Sequence, residues 1–145
     1  MEQLAALLGP ALGSMPGAGA CGGLGLAVLA LGGRLTTGPA VVFGSPAGAT
    51  ALRGADLVVT GCSVFDFASR GGGVVAAAAE AAAEVLAPCL VVAGEVLIGG
   101  REMRTLGIEA AYAVRESSSD APAGGDVTSA ELARTARRVG RSWTW

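Results

Sequence analysis

The sequence predicts an α/β fold, a parallel sheet flanked by helices. Two apolar runs, residues 56–60 and 89–93, are each followed by a glycine, Gly61 and Gly94. Between them, residues 74–86 are alanine-rich with Glu80 and Glu84, a good helix by propensity that Pro88 ends. A short helix over residues 99–106, stopped at Gly107, and a third apolar run over 110–114 complete the series. Strand, helix, strand, helix, strand in this rhythm means parallel β-α-β units. The runs are continuous rather than alternating, which predicts strands buried on both faces.

Upstream, residues 2–8 predict a short helix ended by Gly9-Pro10, and residues 13–23 a glycine-rich loop. Residues 24–31 predict a buried helix stopped by Gly32-Gly33, residues 40–43 a short strand, and residues 47–53 one or two helical turns. Downstream, residues 116–126 are polar, with Ser117-Ser118-Ser119, Pro122 and Gly124-Gly125, and read as a loop. Residues 128–141 follow as a helix. Thr128 is placed to cap it and Glu131 stands three residues on, the spacing of a capping box. Arg137, Arg138 and Arg141 suit the negative end of its dipole.

Composition narrows the functions. A chain of 145 residues is enough for one domain around a single core. With 52% hydrophobic and 15% charged residues it lies far from disorder. A net charge of −2 gives no electrostatic footprint for nucleic acid. All ten basic residues are arginine, so a P-loop lysine and a Schiff-base lysine are both excluded. Histidine is absent, which excludes a Ser-His-Asp triad, a Cys-His dyad and a His-ligated metal. Cys21, Cys62 and Cys89 form no C-x-x-C pair and read as three buried, reduced thiols. Residues 3–33 carry no charge, yet glycines and prolines break them repeatedly. The longest helix-compatible piece, 24–31, falls far short of the ~20 residues of a membrane span. The start has Glu2 and no positive region, unlike a signal peptide, so a cytoplasmic protein is expected.

Ligands of open parallel sheets bind outside the carboxyl ends of the strands. That rule places residues 62–73 and 95–100 on one edge. Asp66, between Phe65 and Phe67, is placed to bind Mg²⁺ or accept a hydroxyl proton, or simply to sit in solvent. Glu95 has the same two readings. Residues 69–73, Ser-Arg-Gly-Gly-Gly, form either an anion nest or a flexible loop. Cys62 has no base to activate it as a nucleophile. Gly17-Ala18-Gly19-Ala20-Cys21-Gly22 matches G-x-G-x-x-G. No convincing strand precedes it and no acidic residue lies about 20 residues on, so it is a weak dinucleotide fingerprint. It reads either as a phosphate cradle or as a loop of small residues packed closely.

Met15-Pro16-Gly17-Ala18-Gly19-Ala20-Cys21-Gly22-Gly23-Leu24-Gly25 resembles the P-G-A-G-A-A-G-G-L-G motif of bacterial glycerate kinases. Residues 52–61, Leu-Arg-Gly-Ala-Asp-Leu-Val-Val-Thr-Gly, are similar to the stretch ahead of that family's active-site loop. Residues 91–103 resemble its actinobacterial branch, residues 107–112 continue the match, and the helix over 128–141 agrees more weakly. The resemblance covers most of the chain in the right order. It implies a Rossmann-like part of a two-domain kinase that uses ATP and Mg²⁺ to phosphorylate glycerate, in organic acid metabolism. Asp66 would be the catalytic aspartate and a weak Mg²⁺ ligand. Gly17, Gly19, Gly22, Gly23, Thr60, Gly61 and Ser69 would face a substrate or phosphate.

The departures are specific. Cys62-Ser63 stand where the family has Glu-Gly, Ala68 replaces a glutamine and Gly73 a lysine. Phosphoryl transfer is catalysed mainly by positioning and charge stabilisation, so these losses remove working parts. The family's N-terminal half, with its Asp-Ser-Phe-Lys motif, is missing. The resemblance therefore implies activity that depends on a missing half, or an inactive remnant that binds an anion or a partner. A former interface left exposed implies a homo-oligomer or a partner that supplies the absent half.

Overall fold

The computed structural model describes residues 2–115 and 126–143. The loop expected over 116–126 lies outside them, except for Asp126. The chain divides into two units, Met1–Gly38 and Pro39–Trp145.

The first unit is helical. α1 (Glu2–Leu8) and the single turn α2 (Pro10–Gly13) precede α3 (Ala20–Ala30). Cys21, Gly22 and Gly23 break α3 with φ of 50°, 70° and 109°. Its regular part therefore begins near Leu24, as the sequence predicts. Its burial is narrower than expected. Gly25 and Leu26 are buried, whereas Leu24 is 61% and Leu31 89% exposed. A helix of almost uniform hydrophobicity has no polar face to choose between, so packing alone decides what is covered.

In the second unit, α4 (Gly38–Gly44) occupies the run expected as a strand at 40–43. Four apolar residues fit either state, and Pro39 pre-sets helical φ in the first turn. α5 (Pro46–Arg53) follows. It is capped by Ser45, whose Oγ accepts from Gly48 N at 3.0 Å.

The sheet has three parallel strands in the order β1 (Val58–Phe65), β2 (Cys89–Val96), β3 (Ala110–Ala113). α6 (Gly73–Glu84) links the first two and α7 (Gly100–Thr105) the next two. The β-α-β reading stands. Both long strands nevertheless run through the glycines expected to close them, Gly61 and Gly94. The two positions lie where strands press together: a Cβ on Gly61 would meet Val92 O at 2.7 Å, and one on Gly94 would meet Ser63 O at 2.5 Å.

α6 packs on one face of the sheet. Val75, Ala79 and Ala82 meet Cys89, Val91, Ala93, Phe65 and Ile108, with Val58 and Cys62 at the margin. Alanines let the helix approach the sheet closely. α6 ends with Ala87 N donating to Ala82 O at 3.0 Å, and Leu86 takes the left-handed turn at φ 59°. α8 (Ser129–Ser142) contacts β3. Arg115, just after β3, donates to Asp126 O and pairs with Glu131 at 3.4 Å. At the other end, Trp143 Nε1 donates to Tyr112 Oη at 2.8 Å. The predicted capping box is present. Glu131 N donates to Thr128 Oγ1 at 3.3 Å, and Glu131 Oε2 accepts from Thr128 N at 2.8 Å.

Burial on both faces holds for most of β2 and fails for β1. β1 alternates, with Val59, Gly61 and Ser63 exposed. It is an edge strand in this sheet, and part of one face lies open.

Candidate functional site

The carboxyl end of β1 delivers Phe65 to the core and Asp66 to the surface. Phe65 is fully buried and anchors the turn. Asp66 then starts a 3₁₀ turn, Phe67–Gly71. Its Oδ1 accepts from Ala68 N at 3.0 Å, and Ser69 Oγ accepts from Asp66 N at 3.4 Å. The loop thus contains a helical turn that Asp66 caps and Ser69 closes. Both residues have a structural task that their sequence context did not announce.

Gly72 and Gly73 carry the chain into α6 with φ of 120° and 86°, a path open mainly to glycine. Nothing stands within 4 Å of where a Cβ would be at either position. Gly72 and Gly73 are thus exposed and uncrowded where α6 begins. A cleft of about 490 Å³ runs beside them, lined by Cys62, Val64, Asp66, Ser69, Gly72 and Gly73, among others.

Thr60 and Gly61 line a second cleft of about 460 Å³, with Ser63, Gly94, Asp126 and Leu132. Gly61 and Cys62 touch both spaces, because β1 passes between them. The residues predicted around this strand are thus brought together in two neighbouring clefts. Glu95 pairs in register with Val64, which brings the ends of β1 and β2 side by side.

The glycine loop, in the first unit, is partly a packing device. Ala18 is 1% exposed, and Leu26 N donates to Ala18 O at 2.9 Å. A Cβ on Gly25 would collide with Gly17 O, so loop and helix touch through backbone. Gly17, Gly19 and Gly22 remain exposed, while Gly23 is buried.

Cysteine placement differs from expectation. Cys21 is exposed, Cys62 half-buried and Cys89 buried, all free thiols. Cys21 sits at φ 50° on the surface kink, where no core reaches it. Burial pushes the Cys62 thiol up, and the nearby Asp66 carboxylate pushes it further. It is held protonated, in keeping with the lack of a base. Burial alone raises Cys89.

Among the described residues no three potential ligands gather around a metal. Mg²⁺ keeps water and phosphate oxygens and needs only one or two carboxylates. Asp66 fits that modest demand, with one oxygen already engaged by Ala68. Among the described residues no helix is long and apolar enough to cross a membrane.

The chain matches the glycerate kinase family over residues 1–144. It is 40% identical over 114 residues to an uncharacterized protein of Mycobacterium bovis, a match covering 79% of this chain and 30% of that protein. A glycerate kinase of Bacillus cereus is 29% identical over 130 residues, covering 89% of this chain and 34% of that one. The crystal structure of putative glycerate kinase 2 from Salmonella typhimurium LT2 aligns with 99% of this chain and 38% of its own, at 25% identity and a TM-score of 0.54. The chain thus spans about a third of the length of these relatives.

Proposed function

This chain belongs to the glycerate kinase family, and from that premise we propose that it forms one wall of a site for ATP-dependent phosphoryl transfer to glycerate. Turnover depends on the rest of a longer fold. The observation that carries this reading is the open turn Gly72-Gly73 at the start of α6, beside Asp66 in one cleft. A phosphate or the glycerate carboxylate would meet the first N–H groups of α6, where the helix dipole favours negative charge. Asp66 would take the proton of the attacking hydroxyl or hold Mg²⁺. The metal, when bound, supplies positive charge against the phosphate oxygens. Ser69 would keep the Asp66 turn closed. Thr60 and Gly61 would border the neighbouring cleft, and Gly17, Gly19, Gly22 and Gly23 would form a second anion-facing loop. A cytoplasmic setting, where ATP is available, suits this chemistry.

A second reading is a remnant that binds an anion or a partner without turnover. Cys62, at a position where the resemblance expects a carboxylate, packs its thiol against the core. Gly73 brings no cation to the site. Exposed Val59, Phe67, Val74 and Leu97, each more than half exposed, would be covered by a second copy or by a chain supplying the rest of the fold.

Glycerate-dependent ADP release from Mg-ATP, with Asp66→Asn as control, tests whether this chain turns over by itself. Calorimetric titration of each ligand accompanies it. Turnover lost in the variant would establish a kinase, and the stated dependence on a longer fold would then be wrong. Binding without turnover, weakened in Asp66→Asn, is the expected result. A folded chain that binds neither ligand would sink the kinase and anion-binding readings and leave only the partner-binding remnant.

A further inference from the structure

α8 carries a feature that glycerate phosphorylation leaves unused. Arg134, Arg137, Arg138 and Arg141, with Ser142, all exposed, line a shallow surface groove of about 480 Å³ between their own side chains on α8. Four of the chain's ten basic residues thus fall within positions 134–141. Arginine as such is uninformative in a chain without lysine; the clustering is the observation. Arg134 and Arg138, and Arg137 and Arg141, stand four apart, while Arg134 and Arg137, and Arg138 and Arg141, stand three apart. Each such pair of like charges destabilises a helix. The helix dipole rewards cations only in the last turn, so it does not account for Arg134. Among the described residues no carboxylate pairs with Arg134, Arg137 or Arg138; the ion pair of this helix joins Glu131 to Arg115.

We propose that this groove binds a compact polyanion, a run of adjacent phosphates held by the α8 guanidinium groups. Guanidinium forks match phosphate oxygens in pairs and would relieve the mutual repulsion of the ladder. From Arg134 to Arg141 the helix rises only about 10 Å, room for a short phosphate chain rather than a nucleic-acid track. Among the described residues the lining offers no aromatic platform on which bases would stack. The net charge of −2 also disfavours a long polyanion. The source is either a free inorganic chain or the tail of a nucleoside triphosphate. This inference stands whether or not the Asp66 cleft supports turnover.

Calorimetric titration of the full chain with sodium tripolyphosphate, and separately with ATP, tests it. Arg134→Gln/Arg138→Gln should weaken tripolyphosphate by about tenfold or more. Arg101→Gln/Arg104→Gln on α7, which removes the same charge elsewhere, should leave it within about twofold. Circular dichroism confirms that α8 survives in each. Equal affinity for ATP and tripolyphosphate would make the phosphate chain the recognised part; tighter ATP, lost in the α8 variant, would make it a nucleotide tail. No saturable binding, or equal loss in both variants, overturns the proposal. Tighter binding of a thymidine oligonucleotide than of tripolyphosphate, lost in the α8 variant, would overturn it in favour of a nucleic-acid surface.

Discussion

Glu131 and Thr128 hold each other in both directions at the start of α8. Glu131 Oε2 accepts from Thr128 Oγ1 at 2.6 Å and from Thr128 N at 2.8 Å, while Glu131 N donates back to Thr128 Oγ1 at 3.3 Å. These bonds, the side-chain one foremost, with a lesser contribution from Arg115, lower Glu131 from an ordinary 4.5 to about 2. A folded-state value below the unfolded one contributes stability that is fully present above the unfolded value and lost as pH falls through the folded one. Urea midpoints should therefore drop on acidification between about pH 4.5 and about pH 2. Glu131→Gln should flatten that part of the curve. An unchanged acid slope in the variant would count against this coupling.

Thiol reactivity should follow exposure. Cys21 should be alkylated first at neutral pH, Cys62 much more slowly and Cys89 only after unfolding. Asp66→Asn removes a charge that opposes the Cys62 thiolate and should speed its modification modestly. Mass spectrometry of timed iodoacetamide reactions reads all three sites. Cys62 reacting as fast as Cys21 would contradict its placement against the core.

Leu86 is 92% exposed and holds a left-handed conformation at φ 59° to end α6. That geometry costs an L-residue about 1–2 kcal/mol, offset in part by the extra chain entropy of glycine when unfolded. Leu86→Gly should stabilise the protein by about 0.5–1 kcal/mol in urea unfolding. A destabilised variant would mean that the leucine side chain contributes packing.

Gly94→Ala should destabilise by about 1–3 kcal/mol, because its Cβ would stand 2.5 Å from the carbonyl oxygen of Ser63. Gly100→Ala, at the start of α7 with nothing within 4 Å, should change stability by less than about 0.5 kcal/mol. Thermal unfolding of the two variants side by side makes the comparison.

Much of the second unit was legible because its signals are local. Alanine-rich α6, the two β-branched runs and the Thr128–Glu131 spacing each specify their own element. The errors arose where tertiary contact decides. Residues 40–43 fit a strand or a helix equally, and Pro39 settled it. Gly61 and Gly94 looked like strand ends, but they lie inside strands because neighbouring backbone leaves no space for a side chain. Asp66 was visible as a carboxylate at a strand end; its capping of a 3₁₀ turn was not, since no residue near it advertised a helix. The clustered arginines read as dipole partners until the groove they line came into view.

The strand order has a consequence in time. Val58 pairs with Cys89 and Leu90 with Ala110, and every strand lies beside the next one along the chain. No strand must wait for a distant one. Each closure spans a single β-α crossover, from Val58 to Cys89 and from Leu90 to Ala110, so no step closes a longer loop than its own unit requires. During synthesis, residues 58–113 can close their sheet in the order in which they emerge, one strand added for each helix completed.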